Sequence, residues 1–240
     1  NGEEGQTFVW KKSEIEEILG NDSDLFCIYY DVTDGGNFEG NTILANNIKA
    51  SALAFKFGKS EEQVHKIISD GAEKLLDVRK KRVQPGKDDK VLTAWNGLMI
   101  SAFIKGYKIS GESKYLKVGL SATDFYQDEF EDHDVLNRVF KDGTSKLNAY
   151  LDDYAYLTNA VVDMFEITGE LKHLEFAIKL SNYLIEHFWD EKNASFFFTA
   201  DNHEKLIIRP KSNYDLSMPS GNSVAANAFL RLYHITQEEK

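Results

Sequence analysis

Apolar residues recur every three to four positions over long stretches of the chain, a spacing typical of α-helices. Three strongly apolar segments, residues 92–109, 152–167 and 221–235, each run into a similar polar ending. These endings read YKISGES, FEITGEL and YHITQEE, and their isoleucines, Ile109, Ile167 and Ile235, lie 58 and 68 residues apart. A unit that repeats at such intervals predicts stacked supersecondary elements, because one unit cannot bury its apolar face alone.

Each repeat predicts an antiparallel pair of helices. Residues 113–130 and 171–188 supply the second helices, and short β-like pieces follow at 135–140 and 196–199. The first helix of a pair carries few charges and the second carries many, which predicts an inner helix and a solvent-facing outer one. We therefore expect an all-α fold, an α/α toroid with short β pieces between the helical hairpins.

The first part of the chain lacks this repeat. Residues 1–59 form an entry segment, with a strand predicted at Thr7–Trp10, a helix at Ser13–Leu19 capped by Ser13, and a glycine-rich loop at 34–41. Residues 60–240 form the domain of repeated hairpins, which opens with a helix at 60–81. Because the third hairpin has no outer helix, we expect an incomplete toroid, cut before its C-terminal hairpins.

Composition excludes several classes of function. A formal net charge of −11 argues against nucleic-acid binding, which needs a basic surface. No apolar run is long enough to span a membrane and no signal peptide is visible, so we expect a cytoplasmic protein without membrane contact. With a single cysteine, Cys27, and six histidines that form no i, i+4 pair, we expect neither a metal nor a cofactor.

The loops before the inner helices hold the candidate chemistry. In a ring of parallel inner helices, the N-termini gather at one end, where unpaired N–H groups and helix dipoles favour anionic or hydroxyl-rich ligands. Asp88 and Asp89 precede the first inner helix, and Asp152 and Asp153 begin the second. These aspartates have a purely structural explanation as helix caps. However, one cap needs one side chain, so the second carboxylate of each pair is left over.

Paired carboxylates beside aromatic residues are typical of glycoside chemistry. We predict that Asp89 and Asp153 form the acid/base pair, while Asp88 and Asp152 cap their helices or bind a sugar hydroxyl. Trp95 is predicted to stack on a sugar ring. Ser220, Asn222 and Asn96 are predicted to orient the ligand.

Five stretches also resemble a known family: FVW at 8–10, VTDGGNFEGNTIL at 32–44, RVQPGKDDKVLTAWNGLMISAF at 82–103, YLDDYAYL at 150–157 and PSGNSVAANAFLRL at 219–232. They resemble the YyaL / spermatogenesis-associated protein 20 family of thioredoxin domain-containing proteins. The resemblance implies a longer protein, in which a thioredoxin-like domain precedes an (α/α)6 domain similar to six-hairpin glycosidases and N-acylglucosamine 2-epimerases. The family's recurring motifs map onto Asn37, Glu39, Asp88, Asp89, Lys90, Trp95, Asn96, Asp152, Asp153, Tyr154, Ser220 and Asn222.

Three functions fit these observations. The leading prediction is a carbohydrate-active or carbohydrate-binding domain that takes a small carbohydrate. The second is a non-catalytic scaffold for the thioredoxin-like domain of the same full-length chain or for another chain, with self-association through uncovered toroid faces. The third is a sugar epimerase or isomerase. The resemblance leads us to expect histidines near the inner-helix ends for such an enzyme, and only His234 lies on an inner helix, at its far end.

Overall fold

The computed structural model describes residues 5–204 and 207–238. The chain divides into two compact units, Asn1–Asp88 and Asp89–Lys240. The helices are α1 (Lys12–Leu19), α2 (Ser23–Tyr29), α3 (Ala50–Phe57), α4 (Glu61–Lys81), α5 (Thr93–Ser110), α6 (Ser113–His133), α7 (Leu151–Thr168), α8 (Leu171–Phe188) and α9 (Gly221–Thr236). The strands are β1 (Val91–Leu92), β2 (Asn137–Lys141), β3 (Thr144–Asn148), β4 (Trp189–Asp190) and β5 (Ser195–Phe196).

The first unit packs its four helices around two small apolar clusters. The long helix α4 buries Val64, Ile68 and Leu75 against α1, α2 and α3. Ser60 begins α4 with a capping box, in which its hydroxyl accepts from the N–H of Gln63 and the Gln63 side chain accepts from the N–H of Ser60. The contacts of α4 therefore place it in the first compact unit, Asn1–Asp88, because its apolar face completes that unit's core. The sequence analysis had grouped residues 60–240 as the domain of repeated hairpins.

Two expectations for the entry segment are wrong. Residues 7–10 form no strand, because only Trp10 pairs with another segment, exchanging two backbone hydrogen bonds with Thr42. Ser13 is not a cap either: α1 begins at Lys12, with Lys11 as the extended N-cap residue and no side-chain cap. The chain turns helical directly after Trp10, and Glu14 in that first turn binds Arg82 at 2.6 Å. The helices α2 and α3 were not predicted from the sequence.

The second unit contains the predicted repeat. The helices α5 and α6 form one hairpin and α7 and α8 the next, while α7 also packs between α5 and α9. Residues with positive φ end the three inner helices: Gly111, Gly169 and, in place of glycine, Gln237. The inner helix α7 is buried on almost every side, whereas α5 exposes Trp95 and Met99.

The β pieces of the second unit connect the helical layers. The strands β1, β2 and β3 form an antiparallel sheet in that order, and β4 pairs with β5. In the sheet, Leu92 pairs with Val139 immediately before α5 starts, which fixes the entry to that inner helix. Among the described residues, no helix is both long and apolar enough to cross a membrane.

The contact between α5 and α7 depends on one glycine. A Cβ atom added at Gly97 would lie 2.7 Å from the carbonyl carbon of Tyr156 and 2.8 Å from the amide nitrogen of Leu157. Both are backbone atoms of α7, so neither can move aside cheaply. The absence of a side chain at residue 97 therefore sets how closely the two inner helices approach.

We predict that Gly97→Ala destabilises the protein by about 2 kcal/mol or more, although alanine favours helix formation by about 1 kcal/mol. Gly106→Ala on the same helix is the matched control, because its Cβ would meet only the Tyr115 ring at 3.5 Å. That control should be neutral or stabilising. Urea denaturation of both variants measures the free energies of unfolding, and equal effects would contradict the proposed close approach.

Candidate functional site

The N-termini of the three inner helices meet at one end of the second unit, as the repeat predicted. The Oδ1 atom of Asp153 accepts a hydrogen bond of 2.9 Å from the amide of Ala94, in the first turn of α5. Its Oδ2 atom accepts one of 2.9 Å from the amide of Tyr150, the N-cap residue of α7. Gly221, the first residue of α9, lies against Asp152. Three positive helix ends therefore surround the two adjacent aspartates.

Asp153 is a structural residue at this end. Its side chain is fully buried, and Arg138 on β2 also donates to Oδ2 at 3.2 Å. Burial raises the pKa of Asp153 to about 6, although Arg138 and the two backbone amides favour the charged form. Asp153, which was predicted as one of the acid/base pair, therefore has both carboxylate oxygens in structural hydrogen bonds, one to the start of α5 and one to the start of α7.

Asp152 is the aspartate that is left over. Its Oδ1 atom is enclosed but has no hydrogen-bond partner of good geometry among the described residues. A Cβ on Gly221 would lie 2.4 Å from this oxygen, so only a glycine leaves room for the carboxyl group. Burial raises the pKa of Asp152, partly offset by Arg138 and by the amide of Gly221. The residue keeps part of its surface exposed.

A third carboxylate also contacts the start of α9. Asp215 accepts a 2.7 Å hydrogen bond through Oδ1 from the amide of Ser220. The hydroxyl of Tyr156 donates to the carbonyl of Pro219. Burial, followed by the charges of Asp152, Asp153 and Asp215, raises the pKa of Tyr156 to about 12. Asp152 and Asp215 therefore both contact the start of α9. The sequence analysis missed Asp215, although it lies only five residues before Ser220.

Asp89 is anchored separately from Asp153. It is about half exposed, and its Oδ1 atom lies 2.8 Å from Nζ of Lys141 on β2. Arg138, which binds Asp153, is three residues away on the same strand. Residues an odd number apart on a strand point to opposite faces, and three residues span about 10 Å. The two carboxylates thus bind cations on opposite faces of β2.

The remaining predicted ligands of the second unit divide into exposed and structural residues. Trp95 is 57% exposed at the start of α5, where it can meet a ligand. Ser220 is buried, and its Oγ atom accepts from the amide of Ser223 and so caps α9. Asn222 binds both backbone groups of Phe196 and the carbonyl of Ser212.

Two further candidates are held by their own helices or strands. The Asn96 amide group donates to the carbonyl of Leu92 at 2.9 Å. Tyr154 is buried, accepts from the amide of Leu136 and stacks on Tyr183 with 4.8 Å between ring centroids, so it belongs to the core. This residue of the family motifs is therefore turned inward by α7.

The other candidates lie at or before the unit boundary. Lys90 is exposed directly before β1, and Asp88 is the exposed last residue of the first unit. In the first unit, Asn37 closes the glycine-rich loop by exchanging two hydrogen bonds with the backbone of Ile43. Glu39 lies exposed at the tip of the same loop.

Solved structures identify the class of fold. The chain superposes on a cellobiose 2-epimerase from Bacillus thermoamylovorans with a TM-score of 0.52 at 16% identity, covering 65% of this chain and 42% of the epimerase. For the GH76A α-1,6-mannanase from Salegentibacter sp., the TM-score is 0.50 at 15% identity, over 93% of this chain and 66% of the enzyme. For a family 105 glycoside hydrolase from C. acetobutylicum, the TM-score is 0.50 at 11% identity, over 79% of this chain and 56% of the hydrolase. All three are (α/α)6 toroids, so the fold is glycosidase-like, as predicted.

Comparison of sequences finds relatives that match nearly the whole chain. Over 97% of this chain, the sequence is 27% identical to human spermatogenesis-associated protein 20. Over 98% of this chain, it is 28% identical to the mouse protein. An uncharacterised Caenorhabditis elegans protein is 28% identical over the whole chain. These homologues confirm the resemblance carried by the five motifs. The chain spans about a third of their length, 34–36%. No family model matches the sequence.

We predict that Asp153→Ala lowers the free energy of unfolding by about 2–4 kcal/mol, because it leaves two buried amides and Arg138 without an acceptor. Asp89→Ala is the matched control, and it should cost less than about 1 kcal/mol because its ion pair is exposed. Chemical denaturation at neutral pH compares the two variants. A cost for Asp153→Ala no larger than that of the control would contradict its capping role.

The raised pKa of Asp153 predicts a pH dependence of stability. Between the ordinary aspartate pKa of 3.8 and about 6, the folded state holds a proton that the unfolded state has lost. The contribution of Asp153 is therefore complete below about pH 4 and decreases as pH rises through 6. The difference in free energy of unfolding between the wild type and Asp153→Ala should shrink from pH 4 to 7. Carbon-13 NMR titration of the carboxyl group measures the pKa directly, and a value below 4 would contradict this assignment.

Proposed function

We propose that the second unit is a carbohydrate-active, glycosidase-like domain whose site lies at the N-terminal ends of α5, α7 and α9. Asp152 is the proton donor of this site. The observation that carries the proposal is the enclosed Oδ1 atom of Asp152, which is seated against Gly221 and has no hydrogen-bond partner of good geometry among the described residues. A partly buried carboxyl group with a raised pKa holds its proton to higher pH than an exposed aspartate does, which suits a general acid.

Asp215 is the second carboxylate of the proposed pair. It lies at the start of α9, as Asp152 does, and the Ser220 amide donates a hydrogen bond to it. Protonated Asp152 would transfer its proton to the glycosidic oxygen as the bond to the sugar breaks. Asp215 would then act either as the base that activates water or as the nucleophile. Asp89 stays a prediction for this second role, and Asp153 positions the helix ends.

The surroundings of the pair favour a sugar ligand. Trp95 offers an exposed ring at the start of α5, and aromatic faces stack well on the apolar faces of sugars. The structural neighbours named as a mannanase, a glycoside hydrolase and a cellobiose epimerase are enzymes of carbohydrates with the same fold. Fold likeness alone is an analogy. The proposal therefore depends on the carboxylates.

One observation favours the interaction module as a second candidate. An apolar groove of about 560 Å³ runs between α8 and α9 and exposes Leu230 and Tyr233. Such a surface suits a partner chain, including the thioredoxin-like domain expected in the longer protein. A monomer on size-exclusion chromatography at high concentration would count against self-association through this groove.

We predict that Asp152→Asn lowers the rate of glycoside hydrolysis by about 10²–10⁴-fold, because the amide cannot donate the proton. Reducing-sugar release from a panel of α- and β-linked oligosaccharides, including α-1,6-mannans, measures this rate. The control is Asp124→Asn on α6, which loses only an exposed ion pair with Lys172. Both variants should remain folded.

Two outcomes would overturn the proposal. In the first, Asp152→Asn hydrolyses the oligosaccharides as fast as the control does. In the second, the wild type releases no sugar from any member of the panel and binds none of them in calorimetry.

A further inference from the structure

The first unit contains a cavity of its own, and none of the carboxylates proposed for catalysis lines it. Its volume is about 680 Å³, within the range of small-molecule sites, which is about 300–1,000 Å³. The walls come from residues 6–11, from Glu14 on α1, from the tip of the glycine-rich loop and from Arg82 after α4. All of these belong to the same compact unit.

The loop tip places Glu39 at the wall of this cavity in a conformation that glutamate rarely adopts. Phe38 and Asn41 pair as the ends of a two-residue hairpin, so Glu39 and Gly40 form its turn. Their φ angles are +49° and +76°, the left-handed values of a type I′ turn. Asparagine, aspartate and glycine are the residues that such a turn favours, so glutamate costs stability there.

The same turn occurs in the second unit with the favoured residue. Asp142 and Gly143 connect β2 to β3 as a two-residue turn, with φ angles of +53° and +71°. The two turns thus have the same backbone geometry, one with aspartate and one with glutamate at the first position. The comparison points to a role for the Glu39 side chain that the turn itself does not require.

The charges around the cavity indicate which groups remain available. The guanidinium group of Arg82 already has protein partners. It donates to the carbonyls of Thr7 and Val9 and to Glu14. It also lies 3.9 Å from the centroid of the Trp10 ring. By contrast, the Glu39 carboxylate has no hydrogen bond or ion pair with any described residue.

The lining combines few free charges with many polar groups. The lining contains two positive side chains and two negative ones, so its formal charges cancel. They are Lys11 and Arg82, and Glu14 and Glu39. Phe38, which is 36% exposed, also lines this cavity. A neutral ligand rich in hydroxyl groups fits this lining, because the carboxylate accepts from hydroxyls and the ring packs against C–H faces.

We propose that this cavity binds a neutral, hydroxyl-rich small molecule of sugar size, and that Glu39 accepts hydrogen bonds from its hydroxyls. The site is independent of Asp152 and of the reaction proposed for the second unit. It also explains why a strained glutamate stands where the second unit has an aspartate.

Saturation-transfer NMR with a panel of neutral mono- and disaccharides tests this binding on the whole chain. At least one sugar should bind the wild type, and Glu39→Gln should weaken it about tenfold or more, because a hydrogen bond to a charged acceptor is lost. Binding should persist in Asp152→Asn, which separates this site from the proposed catalytic one.

A pair of glycine variants adds a readout that a structural role would not produce. Glu39→Gly should raise the melting temperature by about 2–4 °C through relief of strain, yet abolish binding at this site. Asp142→Gly, the same change in the matching turn, should leave sugar binding unchanged. The proposal is overturned if no sugar of the panel binds, if Glu39→Gln binds as tightly as the wild type, or if Glu39→Gly destabilises the chain.

Discussion

The arrangement of the second unit depends on one buried carboxylate. Asp153 accepts from the amide of Ala94 in α5 and from the amide of Tyr150 at the start of α7, so a single side chain ties two inner helices at their N-termini. Helix ends carry unpaired N–H groups that are costly to bury without an acceptor. Because Asp153 satisfies one such group on each helix, it fixes their relative height and rotation.

The inner helices are tied again further along by a second set of polar contacts. Asp163 of α7 accepts from the hydroxyl of Ser101 on α5 at 2.6 Å and from Arg231 on α9 at 2.7 Å. Arg231 also donates to Glu166 and Asn159, so each of its three guanidinium nitrogens has an acceptor. Buried charges are tolerated only when they are paired. These pairs therefore hold one specific alignment of three helices whose apolar surfaces alone would allow several.

The aspartate pair at residues 152 and 153 joins structure to proposed chemistry. Both carboxylate oxygens of Asp153 accept hydrogen bonds that hold the fold together, and these bonds fix the position of the neighbouring Asp152. Asp152 is then enclosed against Gly221, and within the described part of the chain its Oδ1 atom has no hydrogen-bond partner of good geometry. A carboxyl group held in this way keeps the higher pKa that proton donation requires. The rigid helix ends thus supply the preorganisation that a catalytic carboxyl group needs.

Much of the fold was predictable from local signals. The inner and outer helices of the second unit lie within a few residues of their predicted bounds, because helical periodicity, glycine at helix ends and the repeated motif depend on nearby residues. The short helices α2 and α3 were not predicted, since seven or eight residues carry too little periodicity. The packing of α4 within the first unit also escaped prediction, because it depends on contacts with residues distant in sequence.

The sequence by itself determined that aspartates would stand at the start of α7, and that the inner helices would bring their N-termini together. Only the tertiary structure decided which aspartate is buried. Successive residues on a helix point about 100° apart, so the rotation of α7 turns either Asp152 or Asp153 towards α5. That rotation is set by contacts distant in sequence, such as Gly97 against Tyr156 and Arg138 against Asp153. No local pattern encodes these contacts, so the two roles could be assigned only in the folded protein.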